Sequence, residues 1–447
     1  MLEEFLSQNE GKTLEFKENT ANLKGIVKSI IAFANTAGGV ILIGVRNHSK
    51  EIIGLKNPLL EEEKIANAVA DSISPLMIAS IEITSYRNKE LLVIRIPHLA
   101  GPYYLKQDGE EGGTFIRLGS TNRKADTETL KTLRLFASNI SFDELPSLKG
   151  NVDDLYLKET FHNVNKSPTK KQCQMLGIYS EHFGEVKPSI GGILLFSPER
   201  TAVFPDSAIR CAYFKGNTKE KILNHTDIIA PLPSAVEEII AFIERHSTKE
   251  AFIGKTKRID VPQYPPEALR ELVVNALVHA DYSMRGSQVQ IALFFDRIEI
   301  TNPGGLPFGQ TMAKALSGYS RLRNHVIGRV FRELKYIEQW GSGLQRIRAI
   351  CKKLGLKPPK FEEQDNHFRA ILYSTKESHE KYSQDEQILI NYLVKHNTIQ
   401  TSEAAKLWKL SDRATRTRLS KMIKEGIIIR ISTSPKDPHA VFVLKND

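Results

Sequence analysis

Glu271-Leu272-Val273-Val274-Asn275-Ala276-Leu277-Val278-His279 is the stretch on which the reading of this chain turns. Glu271, Asn275 and His279 stand at i, i+4 and i+8, so a helix places all three on one face. Every other residue of the stretch is apolar. That predicts a buried stripe, where unpaired polar groups are costly. A ligand lying on the stripe would supply their partners, as would buried hydrogen bonds tying helix to sheet. Outward from the helix, Ile298-Glu299-Ile300-Thr301-Asn302-Pro303-Gly304-Gly305-Leu306-Pro307 predicts a strand running into a glycine turn. A second glycine signal follows at Gly341-Ser342-Gly343-Leu344.

The spacing of the three polar residues resembles the N-box of the GHKL ATPases, the gyrase, histidine kinase, Hsp90 and MutL types. The resemblance implies that Asn275 binds a Mg²⁺ bridging the nucleotide phosphates and that Glu271 activates water. It also places His279, Gly304, Gly305, Gly341 and Gly343 around the nucleotide. Where these ATPases usually carry an Asp that accepts from the adenine amino group, this chain has Asn302, whose amide oxygen accepts the same bond. ATP is therefore the candidate cofactor and weak ATP turnover a candidate activity. Arg321-Leu322-Arg323-Asn324 and Arg329 fall where such proteins place a lid, so an arginine meeting phosphate and a solvated basic loop are both open readings.

A chain of 447 residues exceeds one compact core and predicts three or four domains. Its 41% hydrophobic and 26% charged residues are those of an ordinary globular protein. No apolar run approaches the roughly 20 residues of a membrane span, and the start Met-Leu-Glu-Glu-Phe-Leu lacks a basic signal-peptide region, so a cytoplasmic protein without a membrane partner is expected. Cys173, Cys211 and Cys351 are scattered and suggest neither a disulfide framework nor a zinc ribbon.

The net charge of +10 is concentrated near the C-terminus. Between Lys406 and Lys424 stand Lys406, Lys409, Arg413, Arg416, Arg418, Lys421 and Lys424 against Asp412 alone. Helices are predicted over Asp385 to Lys395, Thr401 to Leu410 and Ser411 to Gly426, then strands at 427–431 and 441–444 around a Ser-Pro-Lys-Asp-Pro turn. This order resembles a winged helix. The resemblance implies that the second helix of the pair enters the major groove, with Arg413, Thr415, Arg416, Arg418 and Lys421 contacting DNA.

At the other end, Glu10-Gly11-Lys12-Thr13-Leu14-Glu15-Phe16-Lys17, a helix, Ala37-Gly38-Gly39-Val40-Ile41-Leu42-Ile43-Gly44-Val45 and then Gly113-Thr114-Phe115-Ile116-Arg117-Leu118-Gly119-Ser120-Thr121-Asn122-Arg123 follow in order. This succession resembles the Schlafen-type AlbA_2 domain over residues 1 to 137. Relatives of that type include RNA endonucleases with two glutamates and an aspartate around a divalent cation. The resemblance carries Glu10 and Glu15 to the metal, Mg or Mn, with Lys17 offsetting charge at a scissile phosphate. The third acid would follow the Ile-Gly-Val strand, and here Arg46 and Asn47 stand there. The alternative is a structural ion-pair network of Glu10, Glu15 and Lys17, with Arg117 and Arg123 forming a phosphate-binding surface.

Between these ends the pattern is mixed α/β. A helix is predicted from Leu155 to about Leu176, a strand at Gly191–Phe196, a strand at 208–214 and a helix from Ser234 to His246. Segments 142–150 and 374–383 read as linkers. The expected fold is thus multidomain α/β and α+β: a Schlafen AlbA_2-like domain (1–140), an α/β connecting region packed with the next module (151–256), a GHKL-like ATPase-type sandwich (257–374) and a winged helix-turn-helix (383–447). The whole order resembles bacterial proteins labelled transcriptional regulators or helicases. A translocating helicase is excluded because no GxxxxGK[ST] loop occurs. The expected function is a nucleic-acid-binding regulator, modulated by ATP and dimeric or of higher order. The alternatives are a metal-dependent endoribonuclease in antiphage defence, acting on tRNA or structured RNA, and a non-catalytic scaffold.

Overall fold

The computed structural model describes residues 2–247, 249–253, 258–337, 343–364, 366–374, 384–424, 427–431, 437 and 440–444. The N-terminal part is a four-stranded sheet in the order Leu14–Lys17, Gly39–Ile43, Lys89–Ile96, Ser80–Tyr86. The first pair is parallel and the other two are antiparallel. The helix Leu23–Thr36 joins the parallel strands and is capped by the Asn22 side chain, which accepts from the Gly25 amide. Its buried face, Ile26, Ile30 and Phe33, packs with Ile41, Ile43, Leu92 and Ile94. Each such burial is worth about 1.5–3 kcal/mol.

The central part is one six-stranded sheet, ordered Ile222–Ile228, Ile209–Phe214, Val289–Leu293, Arg297–Pro303, His367–Tyr373, Lys360–Gln364. Only Ile209–Phe214 with Val289–Leu293 is a parallel pair. Helix Pro266–His279 packs on strand Arg297–Pro303 and on helix Gly343–Lys353, while Leu232–His246 packs on Ile209–Phe214. A single apolar core runs through all of these, from Leu157 to Leu372. The boundary expected at 256/257 therefore separates no two cores, because strands from both sides of it share the sheet.

Three local expectations are corrected. Gly191–Phe196 lies in a helix, Ile190–Phe196, with Ser189 accepting from the Gly192 amide. A continuous apolar run does not distinguish a buried helix from a buried strand. The helix expected from Leu155 to Leu176 is two, Asp154–His162 and Lys170–Met175, interrupted where Asn165 takes φ +59° ahead of Pro168. The 142–150 segment begins as structure rather than linker: Asp143 is fully buried, and its carboxylate accepts from the Ile327 amide at 2.9 Å. The 375–383 part of the second expected linker lies outside the described residues.

The C-terminal part has helices Gln384–His396, Thr401–Trp408 and Asp412–Lys424 and strands Ile399–Gln400, Ile428–Ile431 and Val441–Leu444, with the last strand central in an antiparallel sheet. Leu389, Leu393, Trp408, Leu419, Met422 and Phe442 form its own core. Most of the turn expected between its last two strands lies outside the described residues. No helix among the described residues is long and apolar enough to cross a membrane.

Candidate functional site

Helix Pro266–His279 sets the three spaced polar residues on one face, half-buried rather than in the buried stripe expected. Glu271, Asn275 and His279 open onto one cavity of about 260 Å³, which Asn302, Gly305 and Gly343 also line. Asn275 Nδ2 donates to Glu271 Oε1 at 3.1 Å, leaving the Asn275 oxygen as a hard donor beside the carboxylate. Gly343, the first residue of helix Gly343–Lys353, sits directly against this pair: a Cβ there would lie 2.1 Å from Glu271 Oε1 and 3.1 Å from Asn275 Nδ2. Only glycine lets the N-terminus of that helix, the positive end of its dipole, approach so closely. Gly341 lies outside the described residues.

Asn302 is buried at the cavity wall, its Nδ2 donating to the Pro303 carbonyl at 3.3 Å. Gly304 makes the turn after it with φ +82° and lies behind the cavity lining rather than in it. Burial, assisted by the nearby Arg323 charge, holds the His279 imidazole down to about 4, so it is neutral at pH 7. Among the described residues, the charged lining then has one acid, Glu271, and three cations, Arg321, Arg332 and Arg346. That balance favours an anionic ligand.

The basic lid segment divides its roles. Arg323 is spent internally, donating to the His279 carbonyl at 3.0 Å, Asp281 Oδ2 at 3.1 Å and the Gly305 carbonyl at 2.5 Å. Asn324 ties the end of the 266–279 helix through its Nδ2 to the Val278 and Ala280 carbonyls, both at 2.8 Å. Arg329 pairs with Glu144 at 2.5 Å. Arg321 alone of the basic lid residues lines the cavity. The sequence did not single out Arg332 and Arg346, which belong to helices whose register onto the cavity depends on tertiary packing.

At the N-terminal cluster the expected metal ligands are already satisfied by protein donors. Glu10 accepts from the Phe16 amide and from Asn47 Nδ2, both at 2.7 Å. Glu15, 4% exposed, accepts from Ser29 Oγ at 2.9 Å, Lys17 Nζ at 2.6 Å and Arg117 Nη1 at 2.6 Å. Asn47, in the region of the missing aspartate, is a donor to Glu10 instead of a third anionic ligand. No group of three metal-binding side chains occurs among the described residues. The cluster thus lacks the three-carboxylate set that the resemblance implies. The placement of Arg117 on a phosphate-binding surface is corrected: it is 3% exposed, its guanidinium is bound to Glu15 and to Asn122 and it lies over the Phe33 ring. Arg123 is exposed on the hairpin strand Thr121–Lys124.

On helix Asp412–Lys424 the residues separate by face. Arg413 and Arg416 are exposed, and Arg413, Ala414, Thr417, Arg418 and Lys421 border an open groove of about 730 Å³. Arg418 lies 5.3 Å from the Trp408 ring, and Lys421 bonds Glu386 at 3.2 Å. Thr415, expected to face DNA, is fully buried with its hydroxyl donating to the Ser411 carbonyl. It packs the helix and does not face the groove.

Comparison with known proteins adds the following. Residues 10–126 match the family model "Schlafen, AlbA_2". Residues 286–372 match the family described as "Putative ATP-dependent DNA helicase recG C-terminal". The chain thus joins an N-terminal AlbA_2 region to an ATPase-like region. An "Uncharacterized ATP-binding protein UU034" of Ureaplasma parvum serovar 3 is 35% identical over 89 residues, 19% of this chain and 25% of that relative. The chain therefore aligns with only a quarter of that relative's length. Among solved structures, the DIP2311 protein from Corynebacterium diphtheriae shows 17% identity with a TM-score of 0.44, covering 99% of this chain and 96% of that one. The N-terminal domain of a "Putative ATP-dependent DNA Helicase RecG-related Protein" from Nitrosomonas europaea shows 26% identity with a TM-score of 0.23, covering 28% of this chain and 90% of that one.

Proposed function

We propose that the protein is a nucleic-acid-binding regulator whose DNA affinity responds to ATP bound in the cavity beside Asn275. The observation that carries this reading is the convergence of Glu271, Asn275, His279, Asn302, Gly305 and Gly343 on one cavity whose described lining carries three arginines against one glutamate. Asn302 would accept from the adenine amino group, and the N-terminal turn of helix Gly343–Lys353 would lie beside the phosphates. Asn275 would hold a divalent cation, which when bound neutralises the phosphates. Two protein oxygens suffice for such an ion, because Mg²⁺ usually completes its shell with phosphate and water. Glu271 beside Asn275 is the group placed to take a proton from water, so slow turnover belongs to the same reading.

The C-terminal helices and sheet supply the DNA contact in this reading, as a winged helix whose Asp412–Lys424 helix presents Arg413 and Arg416 to the duplex. The exposed Arg123 hairpin gives the AlbA_2 domain a second contact with phosphate. A dimer would pair two such helices on half-sites one helical turn apart.

The test is ATP binding by calorimetry together with DNA affinity measured with and without Mg-ATP. Asn275→Ala is expected to weaken ATP binding by at least about tenfold, or 1.4 kcal/mol, and to abolish any ATP effect on DNA. An unchanged ATP affinity in Asn275→Ala, or no binding by the wild type, overturns the proposal.

A further inference from the structure

The stretch from Gly305 to Leu322 does two things at once. Leu306, Pro307, Gln310, Tyr319 and Arg321 line the cavity. The same stretch is seated on the N-terminal domain. The Gly309 amide donates to the Thr36 carbonyl, at the end of helix Leu23–Thr36, at 2.6 Å. The Leu306 amide donates to Glu363 Oε1 at 2.9 Å, and Glu363 in turn pairs with Lys12 at 3.0 Å. Arg321, the lid cation at the cavity, holds the Phe308 carbonyl at 2.8 Å and lies over the Phe136 ring, 4.6 Å from its centroid. Phe136 belongs to helix Thr127–Ala137 of the N-terminal domain.

His98 completes this seat. Its ring packs against Phe136 at 5.2 Å and bonds the Ala34 carbonyl through Nδ1 at 2.9 Å. Gly309 abuts both His98 and Arg321 so closely that a Cβ there would lie 2.4 Å from the imidazole and 2.3 Å from the guanidinium. A guanidinium over an aromatic face is held in orientation as well as attracted. Arg321 is thus aimed by a ring from a different domain than the one that forms the rest of the cavity.

We propose that Phe136 and His98 are positioning residues for Arg321, which meets the anionic part of the cavity ligand, so that the N-terminal domain completes the ligand site. The inference rests on the nucleotide reading above. It implies reciprocity: whatever the docked domain contributes to ligand affinity, the ligand contributes to docking.

The experiment compares ATP and adenosine affinities in the full chain. Phe136→Leu keeps the bulk of the ring but removes its face, and Phe136→Trp keeps a face. Phe136→Leu is expected to weaken ATP at least about fivefold and to leave adenosine unchanged. Arg321→Ala should show the same split, and Phe136→Trp should restore ATP binding. Equal weakening of ATP and adenosine in Phe136→Leu, or no change in either, overturns the positioning role while leaving the nucleotide reading intact. A wild type that binds neither removes the functional reading, and this inference with it. Should Phe136→Leu lower the melting temperature markedly, Lys12→Ala loosens the same seat from outside the cavity. It should then weaken ATP more than adenosine, and an equal or absent effect counts against the proposal.

Discussion

Glu15 and Arg117 grip one another at 2.6 Å with side chains 6% and 2% exposed. Removing one partner of a buried pair leaves the other charge without compensation, at a cost of about 3–5 kcal/mol. Glu15→Ala is therefore expected to lower the urea midpoint sharply, and a measured loss below about 1 kcal/mol would mean the pair is solvated. Any nuclease assay that uses this variant reads folding before it reads chemistry. A pH effect belongs to the same scale. Burial, helped by repulsion from Arg321 and Lys314, holds His98 down to about 4, against an ordinary value of 6.5. Between those values the unfolded chain binds more protons than the folded one. The His98 contribution to stability is thus intact above pH 6.5 and is lost as pH falls toward 4. Asp143, pushed up to about 6 by burial, acts in the opposite direction, but it is common to wild type and variant. Melting temperatures from pH 7 to pH 5 should fall less steeply in His98→Leu than in wild type, and parallel curves would refute the assignment. The stripe of Glu271, Asn275 and His279 was legible because helical period is local. The Glu15–Arg117 pair was not, since it joins residues 102 apart and nothing in either neighbourhood names the partner.

Helix Asp412–Lys424 shows the same contrast one level up. Its amphipathic pattern gave its existence and its basic character, but not which residues face inward. Thr415 sits one turn before Leu419, both buried, whereas Arg416 is exposed. Arg416→Ala is expected to weaken DNA retention and to reduce the slope of log affinity against log salt by about 1. Thr415→Val keeps the volume while removing a satisfied hydroxyl, and should leave the salt slope unchanged. The reverse pattern in a filter-binding titration would mean the helix presents its other face. Helix Ile190–Phe196 marks where pattern reading stops. All seven of its residues are buried, so no polar face existed to reveal a period.

Across the whole molecule, contacts reach over the expected boundaries. Asp143 and Glu144, in what read as a linker, and Ser141 just before it meet the start of helix His325–Glu333 through the His325 and Ile327 amides and the His325 and Arg329 side chains. With the Gly309 seat, this fixes the N-terminal domain to the module at two places. Limited proteolysis is expected to spare 138–150, and rapid cleavage there would contradict the tight packing of Asp143. Composition made this segment look polar and loose. Only the fold shows that its acids are partners for a distant helix.

The parallel pairing of Ile209–Phe214 with Val289–Leu293 sets a limit on how this architecture can be cut or inherited. The ATPase-like match begins at residue 286, yet two of the six strands lie before it. A gene fragment covering 286–372 would encode a sheet with a bare hydrogen-bonding edge where Ile209–Phe214 belongs, and bare edges invite pairing with other chains. Recombination that moved the module between proteins would therefore have to carry the strands from residue 209 onward as a single heritable block. A protein that acquired only the later part would have inherited an aggregation hazard in place of a domain.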